Sequence, residues 1–273
     1  MARKVVFDLG MHQGEDTAFY LAAGYDVVAF EANPDLVESC SRRFASEMQQ
    51  GRLRIVSGAI AHADDETEIT FYKNKDKSVW GTTSADWVKR NAQLLTSSIP
   101  IRVRKIDFQE FFAKVETPFY IKIDIEGADR LVIDAVLNSG RPPHYLSMES
   151  EKVDYDALVA DVNALSAAGY TSFAIVQQAT IPGSEIDVTH PEGGGGAFKY
   201  KFEKHCSGAF GPHLKASWMN KEETLHAYEK VFRSYRWCGD ETLIGRFGRP
   251  ITKPLERLLG VGLPGWHDLH ARL

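Results

Sequence analysis

FYIKIDIEGAD, residues 119–129, decides how this chain folds. Five of its first seven residues are aromatic or β-branched, which predicts a buried strand over Phe119–Ile125. Yet Lys122, Asp124 and Glu126 carry charges at the end of that strand, and with a side-chain period of two they point in the same direction. Charges are seldom buried without a partner or a purpose. They therefore indicate the floor of a functional site or, for Lys122, a buried structural ion pair.

Short apolar runs alternate with helical patterns on both sides of this stretch, which predicts parallel β-α-β units and a doubly wound α/β sheet. Strands are predicted at Lys4–Leu9, Asp26–Phe30, Leu53–Ile60, Phe119–Ile125, Tyr145–Met148 and Thr171–Gln177. Helices are predicted at Glu15–Ala23, Asp35–Met48, Ala128–Ser139, Tyr155–Ala168 and Lys221–Tyr235.

Residues 62–107 interrupt this alternation and are interpreted as an insertion after strand three, with half-exposed strands at Glu66–Tyr72 and Ile101–Ile106. Beyond strand six the pattern is less regular, with a strand-like Ala197–Phe202 that follows a glycine loop, Gly193–Gly196. The last residues are expected to dock on the surface of the domain, to be disordered, or to fold back over the site.

The composition bears on several classes of protein. With 273 residues, 44% of them hydrophobic, the chain can bury a large core, and its net charge of −5 gives no reason to expect nucleic acid or an anionic membrane as a partner. No run of about 20 apolar residues predicts a membrane span, and the apolar part of the N-terminus is too short for a signal peptide. Three scattered cysteines without CxxC spacing predict reduced thiols in a cytoplasmic protein, with neither disulfides nor a zinc site.

A glycine turn follows the first strand. In Asp8-Leu-Gly10-Met-His-Gln-Gly14, the glycines allow a tight turn, and the helix that follows favours an anionic or polar group at its N-terminus. The spacing G-x-x-x-G after an acid differs from the G-x-G-x-x-G of dinucleotide sites and is typical of S-adenosylmethionine (SAM) enzymes. Glu31 ends the second strand about 20 residues later, where a carboxylate can accept hydrogen bonds from both ribose hydroxyls. Alone, Glu31 is typical of a solvated acid before a turn, but its distance from the glycine turn favours a cofactor site.

Ligands of open α/β sheets bind beyond the carboxyl ends of the strands, at the point where the strand order reverses. Strands one and four flank that point, so the charged end of residues 119–129 faces the same crevice as Asp8 and Glu31. Glu149 follows the fifth strand, where it either reaches this crevice or starts the next helix.

The two motifs resemble those of a known family. FYIKIDIEGAD resembles the L-K-I-D-[VI]-E-G-[AS]-E signature of the FkbM family of class I SAM-dependent methyltransferases, and FDLGMHQGEDTAFYLAAGYDVVAFEANPDL resembles its first two motifs. The resemblance covers about residues 4–150. It implies a Rossmann-like seven-stranded doubly wound sheet with the last strand antiparallel, SAM as methyl donor, and O-methylation of a hydroxyl on a sugar or natural product.

The resemblance also implies roles for individual residues. The cofactor-binding residues that it carries over are Asp8, Gly10, His12, Gly14 and Thr17 around the glycine turn, Glu31, Ala32 and Asn33 at the ribose, Ala59 and Ile60 at the adenine, and Asp124 near the methionine amino group or the acceptor. Lys122 and Glu126 would support or contact the acceptor. Residues 1–205 then form the SAM-binding methyltransferase domain, and residues 206–273 form a C-terminal extension that, like the insertion, is available to recognise a small-molecule acceptor.

Methyl transfer is an in-line displacement, to which positioning of the acceptor contributes strongly and a nearby base contributes further. The candidates for catalysis are Lys122, Asp124, Glu126 and Glu149, and His12 either approaches the acceptor or caps the turn. Asp124, Glu126 and Glu149 would also be enough to start a divalent-metal site, although their spacing does not require a metal.

Two other classes of protein stay open. A NAD(P)-dependent Rossmann oxidoreductase is disfavoured by the missing G-x-G and by the absence of a clear Tyr-x-x-x-Lys pair on a helix. A non-catalytic SAM-fold scaffold is disfavoured by the intact glycine turn, Glu31 and Asp124, which speak for cofactor binding but not for turnover. Within the enzyme class, N-methylation is disfavoured because no N-P-P-Y type motif follows the fourth strand.

Overall fold

The computed structural model describes residues 3–62, 64, 66–76, 81–84, 88–89, 92, 96–125, 127–151, 154–190, 196–238 and 266–273. The predictions for Glu126 and for Gly193–Gly195 of the glycine loop lie outside the described residues. Within the described ranges, no helix combines the length and the apolar character needed to cross a membrane.

Seven strands form the central sheet. They are Val5–Leu9 (β1), Asp26–Glu31 (β2), Leu53–Ser57 (β3), Tyr120–Ile123 (β7), Tyr145–Glu149 (β8), Ser172–Gln177 (β9) and His267–Arg272 (β12). Their order is β3-β2-β1-β7-β8-β12-β9, and neighbours are parallel except at β12, which is antiparallel to both β8 and β9. The strand order reverses between β1 and β7, which pair directly. The Rossmann-like seven-stranded sheet with an antiparallel last strand is thus confirmed.

Helices cover both faces of this sheet. They are Glu15–Ala22 (α1), Pro34–Arg43 (α2), Ala45–Gln49 (α3), Phe108–Ala113 (α4), Asp129–Ser139 (α5), Tyr155–Ala167 (α6) and Lys221–Cys238 (α7). One buried cluster joins the sheet to α4, α5, α6 and α7, and a second joins it to α1, to α2 and to the segment around Phe210. Helices on both faces are the arrangement that a parallel sheet needs to bury its two apolar surfaces.

The strand register places polar residues side by side near the carboxyl ends of the strands. Asp8 lies opposite Lys122, which in turn lies opposite Ser147 on β8. Glu149, two residues further along β8, lies opposite Asp268 on β12. Residues in register on neighbouring strands point to the same face, so these polar side chains lie side by side on one face of the sheet.

The predicted strand Leu53–Ile60 is wrong in its second half. The main-sheet strand ends at Ser57, and Ala59–Ile60 (β4) instead joins a separate three-stranded sheet with Ser98–Ile106 (β6) and Glu68–Asn74 (β5), in the order β4-β6-β5. Gly58 makes the break, with φ +140°, and a β-carbon there would lie 2.6 Å from the carbonyl oxygen of Arg104. The predicted strands of the insertion are confirmed, with shifted ends, and they extend directly from the end of β3.

The predicted helix Asp35–Met48 is in fact two helices, α2 and α3, separated at Phe44. The reason lies in the glycine turn: a β-carbon on Gly14 would come within 2.4 Å of the Phe44 ring. The ring thus packs directly under the turn, and Phe44 leaves helical geometry to place it there.

The expectation that the last residues dock on the surface is wrong. β12 fills the gap between β8 and β9, with Leu269 and Ala271 fully buried. Asp268 and His270 are buried as well. Because these residue types are typical of the surface, the sequence did not predict that this strand lies inside the sheet. Part of the predicted extension 206–273 therefore belongs to the main sheet. The strand-like Ala197–Phe202 is confirmed as Phe198–Lys201 (β11), which forms a hairpin with Glu185–Val188 (β10).

Candidate functional site

A cavity of about 420 Å³ lies beyond the carboxyl ends of β1, β2, β7 and β8. Nine predicted site residues line it: Gly10, His12, Glu31, Ala32, Ala59, Ile60, Lys122, Asp124 and Glu149. Four others lie behind its wall and support residues that line it: Asp8, Gly14, Thr17 and Asn33. Glu126 lies outside the described residues. The structure thus brings nine of the predicted residues together at one cavity, and their roles stay predictions.

The glycine turn is a main-chain junction between three strands. The amide N–H groups of Gly10 and Met11 both donate to the carbonyl oxygen of Phe30, over 3.1 and 2.9 Å. Gly10 has φ +89°, and a β-carbon on it would lie 1.9 Å from the carbonyl oxygen of Asp124. Only glycine allows the turn to approach the end of β7 this closely.

Asp8 and Thr17 brace the turn from below. Asp8 is fully buried, and the Thr17 hydroxyl donates a hydrogen bond of 2.6 Å to its carboxylate. Burial raises the pKa of Asp8 to about 6 in spite of the nearby Lys122 ammonium. Both residues were predicted as cofactor contacts, whereas the structure gives them a supporting position.

Lys122 is the centre of a buried cluster of charges. Its ammonium lies 3.5 Å from Asp8, 3.3 Å from Asp16 and 3.4 Å from Asp124, and it donates to the carbonyl oxygen of Gly10 over 3.2 Å. Burial alone would lower the pKa of Lys122, but these carboxylates hold it well above its usual value. Lys122 was predicted either to lie on the floor of a site or to form a buried ion pair. In the structure, Lys122 belongs to a buried network of ion pairs and also lines the cavity.

Asp16 is a member of this cluster that the sequence analysis missed. It is buried on α1, and its two carboxylate oxygens accept the amide N–H of Ser207 over 2.9 and 3.1 Å. Asp16 thereby attaches the C-terminal part of the chain to the cavity. An acid in the first turn of a helix is common because it complements the helix dipole, so the sequence offered no signal that set Asp16 apart.

Glu31 is a buried acid that lines the cavity. Its two carboxylate oxygens accept the amide N–H groups of His12 and Asn33, each over 2.8 Å. Burial raises the pKa of Glu31, and these amides act in the opposite direction. A carboxylate has about four acceptor positions, so two ligand hydroxyls can still be accommodated.

Two histidines face each other at the rim of the cavity. Among the described residues, His12 (φ 52°) and His205 (φ 70°) are the non-glycine residues with left-handed backbone geometry. Their rings meet edge to face with centroids 5.8 Å apart, and the His12 Nδ1 lies 3.1 Å from the Glu15 carboxylate. Backbone strain of this kind gathers at functional sites, because surrounding structure must hold it in place. His205 was not singled out from the sequence, because its ring partner, His12, lies far away along the chain.

The far wall of the cavity comes from the end of the sheet that holds β12. Gln178, Trp266 and Glu149 line it, and the Gln178 amide donates over 2.6 Å to the buried carboxyl of Asp268. Burial raises the pKa of Asp268 well above its usual value. The tail was also predicted as a segment that could fold back over the site; Trp266 lines the cavity, whereas residues 267–272 form a strand of the main sheet.

Along the strand order β3-β2-β1-β7-β8, apolar lining residues follow β3, Glu31 ends β2, and most charged lining residues lie after β1 and β7 or at the end of β8. The apolar part of the cavity is defined by the lining residues Ala32, Leu36, Ala59, Ile60 and Phe71. The polar part is defined by Glu15, Asp16, Lys122, Asp124, Glu149, Gln178 and His205. An apolar subsite, a buried hydroxyl acceptor and an acidic subsite, in this order, fit the adenine, the ribose and the cationic methionine end of SAM. Among the described residues, no group of three His, Cys, Asp or Glu side chains is arranged to hold a metal ion.

The sheet order, the glycine turn and the buried acid after β2 together define the class I fold of SAM-dependent methyltransferases. Residues 8–171 match the family model for the methyltransferase FkbM domain, which is more than half of the chain. The chain therefore belongs to the FkbM methyltransferase family, and the resemblance seen in the sequence is confirmed.

Comparison with known proteins adds distant likenesses only. The precorrin-6Y C5,15-methyltransferase of Geobacter metallireducens is 15% identical, with 73% of this chain and 75% of that chain covered and a TM-score of 0.35. A putative O-methyltransferase of Klebsiella pneumoniae is 12% identical, with 64% and 66% covered and a TM-score of 0.37. The SAH-bound methyltransferase PaMTH1 of Podospora anserina is 11% identical, with 59% and 50% covered and a TM-score of 0.32. At these scores the likenesses carry no argument about this chain. No curated protein matches it.

Proposed function

We propose that this protein transfers a methyl group from SAM to a hydroxyl oxygen of a small molecule, a sugar or another natural product. The observation that carries the proposal is the buried Glu31 at the end of β2, which lines the cavity between apolar residues that follow β3 and charged residues at the ends of β7 and β8. O-methylation of such acceptors is what the FkbM resemblance implies. The acidic lining gives no support to nucleic acid or an anionic membrane as partner.

The cofactor half of the site consists of residues already held in position. Glu31 is fixed by two main-chain amides and can accept both ribose hydroxyls. Ala59 and Ile60 offer an apolar surface to the adenine, and Asp124 offers a carboxylate to the methionine ammonium. Lys122 restrains Asp124 at 3.4 Å, so the orientation of this carboxylate is set before a ligand arrives.

The acceptor half lies toward Glu149, Gln178 and Trp266. SAM supplies, when bound, an electrophilic methyl group on its sulfonium sulfur. The acceptor oxygen must approach the methyl carbon from the side opposite the sulfur, so the chain has to hold that hydroxyl and receive its proton. Glu149 is the candidate base on this side, and His205, which also lines the cavity, is a second candidate. Burial, Lys204 and His12 lower the pKa of His205, which favours the neutral imidazole at pH 7.

Isothermal titration calorimetry of the purified chain with S-adenosylhomocysteine (SAH), with NADH as the control, tests the cofactor. Micromolar binding of SAH alone is the expected result, and binding of NADH alone would replace the proposal by an oxidoreductase. Binding of neither would favour a scaffold without a cofactor.

The acceptor requires a separate test. SAH release from SAM in the presence of a panel of sugars and hydroxylated natural products should identify a substrate. SAH binding without turnover on any hydroxylated compound, but with turnover on amines, would reassign the protein to N-methylation.

A further inference from the structure

We infer that the insertion supplies part of the cofactor site: Phe71, held by Gly81, forms the apolar wall against which the purine ring lies. The inference rests on the proposed use of SAM and deepens it. It changes the expected task of residues 62–107, which the sequence analysis assigned to acceptor recognition.

Phe71 belongs to the insertion and to the cavity at once. It lies on β5, is 7% exposed, and packs in a small cluster with Ala59 and Val103, against which Ala32 also rests. Phe71, Ala59 and Ala32 line the cavity, whereas Val103 does not. The ring is therefore anchored on its cluster side and borders the apolar part of the cavity.

Gly81 fixes the position of this ring. A β-carbon on Gly81 would lie 2.4 Å from the tip of the Phe71 ring, so the main chain at residue 81 rests on the ring itself. Next to it, the amides and carbonyls of Tyr72 and Thr82 exchange two hydrogen bonds of 2.8 and 3.2 Å. This bridge keeps Gly81 and Thr83, both of which line the cavity, beside Phe71.

The insertion is attached to the cofactor site at two ends. β4 follows β3 directly through Gly58, and Lys73, two residues after Phe71, forms an ion pair with Asp35 in the first turn of α2. Leu36, the next residue on α2, lines the apolar part of the cavity. Both attachments connect the insertion to β3 and to α2, which follows β2, on the side of the sheet away from β8.

The chemistry of this part suits a purine. Phe71 packs with Ala59 and Ala32, which line the cavity together with it, and none of the three carries a charge. A flat aromatic ligand gains most from burial against apolar and aromatic side chains. The acidic side chains lie in the other part of the cavity, where the charged end of SAM belongs.

The test compares SAH and adenosine as probes on the full chain by calorimetry. Phe71→Ala should weaken both probes by the same factor, about 10-fold or more, because the loss falls on the nucleoside that they share. Val103→Ala, in the same cluster but away from the cavity, should leave both affinities within about twofold. Phe71→Leu, which keeps an apolar wall, should lie between the two.

Two further measurements keep the inference falsifiable if Phe71→Ala does not fold. Gly81→Ala displaces the ring and should weaken SAH binding, and SAH should slow hydrogen exchange in β5 and in residues 81–84 of the unaltered protein. Unchanged SAH affinity in a folded Phe71→Ala, or unchanged exchange on SAH binding, would overturn the inference while leaving the proposed function in place. A failure of the unaltered protein to bind SAH would instead overturn the proposed function.

Discussion

Gly10 touches the main chain of Asp124, since a β-carbon on Gly10 would lie 1.9 Å from the Asp124 carbonyl oxygen. The glycine turn and residues 119–129, from which the site was predicted, are therefore in direct contact in the fold. The turn after β1 and the end of β7 cannot move independently, and each depends on the other for its position.

Gly10→Ala should destabilise the protein by on the order of 3 kcal/mol, because the added methyl group meets main-chain atoms at a positive φ. Gly51→Ala is the matched control: Gly51 has φ +71° but nothing within 4 Å of an added β-carbon. It should cost only about 1 kcal/mol of backbone strain. Urea unfolding of both variants measures the difference, and equal midpoints would contradict the contact.

Lys122→Met should cost about 3–5 kcal/mol, because it leaves the buried carboxylates of Asp8 and Asp16 without their cation. Thermal and urea unfolding should both register the loss. Adding Asp16→Asn to this variant should recover part of it. The exposed Lys114, paired with Glu110, is the control, since Lys114→Met should change stability by less than about 1 kcal/mol. Equal losses of stability in the two single variants would show that the buried ion pairs of Lys122 stabilise the fold no more than the exposed ion pair of Lys114 does.

Glu31→Gln should weaken SAH binding about 10- to 100-fold, because a neutral amide replaces the acceptor of two ribose hydroxyls. Circular dichroism should show an unaltered fold, and calorimetry gives the affinity. Glu38→Gln removes an exposed glutamate that pairs with Arg42 on α2, and it should leave the affinity unchanged. The ribose role of Glu31 is rejected if both variants bind SAH like the parent protein.

Asp124→Asn should abolish methyl transfer to any acceptor that the screen identifies, with the fold intact, because the carboxylate lines the cavity beside Lys122. The rate of SAH formation is the measurement. Asp134→Asn, which changes an exposed partner of Arg130, controls for the loss of a surface charge. A fully active Asp124→Asn enzyme would remove this residue from the site.

His270 should make stability depend on pH. Burial lowers its pKa from 6.5 to about 4, so the unfolded state binds the proton first and stability falls as the pH drops from 6.5 to 4. Between pH 6.5 and pH 4, the free energy of unfolding of His270→Leu should therefore fall by ~3 kcal/mol less than that of the parent protein. Asp8, whose raised pKa acts in the opposite direction, is common to both proteins.

Urea titrations at several pH values between 4 and 7 measure this difference. The exposed His226 provides the control, because His226→Leu removes an imidazole that is not buried and so should not change how stability depends on pH in this way. If the free energies of unfolding of the parent protein and of His270→Leu changed equally with pH, the buried His270 would not have the lowered pKa that its burial requires.

Much of the site followed from local signals at the ends of strands. Glu31 and Asp124 were identified because a charge at the carboxyl end of a parallel strand has few structural purposes. Asp16 and His205 were missed because their contacts, with Ser207 and with His12, join segments that lie far apart in the sequence. The strand β12 was not predicted because His267, Asp268 and His270 are polar residues typical of a protein surface. A polar side chain can nevertheless be buried between two strands if it has a hydrogen-bond partner, as Asp268 has in Gln178.

The late position of β12 in the sequence bears on how the protein is made. β8 and β9 leave the ribosome well before residues 267–272, and until then each has an open edge facing the gap that β12 fills. The nascent chain thus carries unpaired strand edges from the synthesis of β8 and β9 until that of β12, a state that invites association with other chains. Premature termination upstream of β12 would therefore yield an incomplete sheet rather than a smaller enzyme.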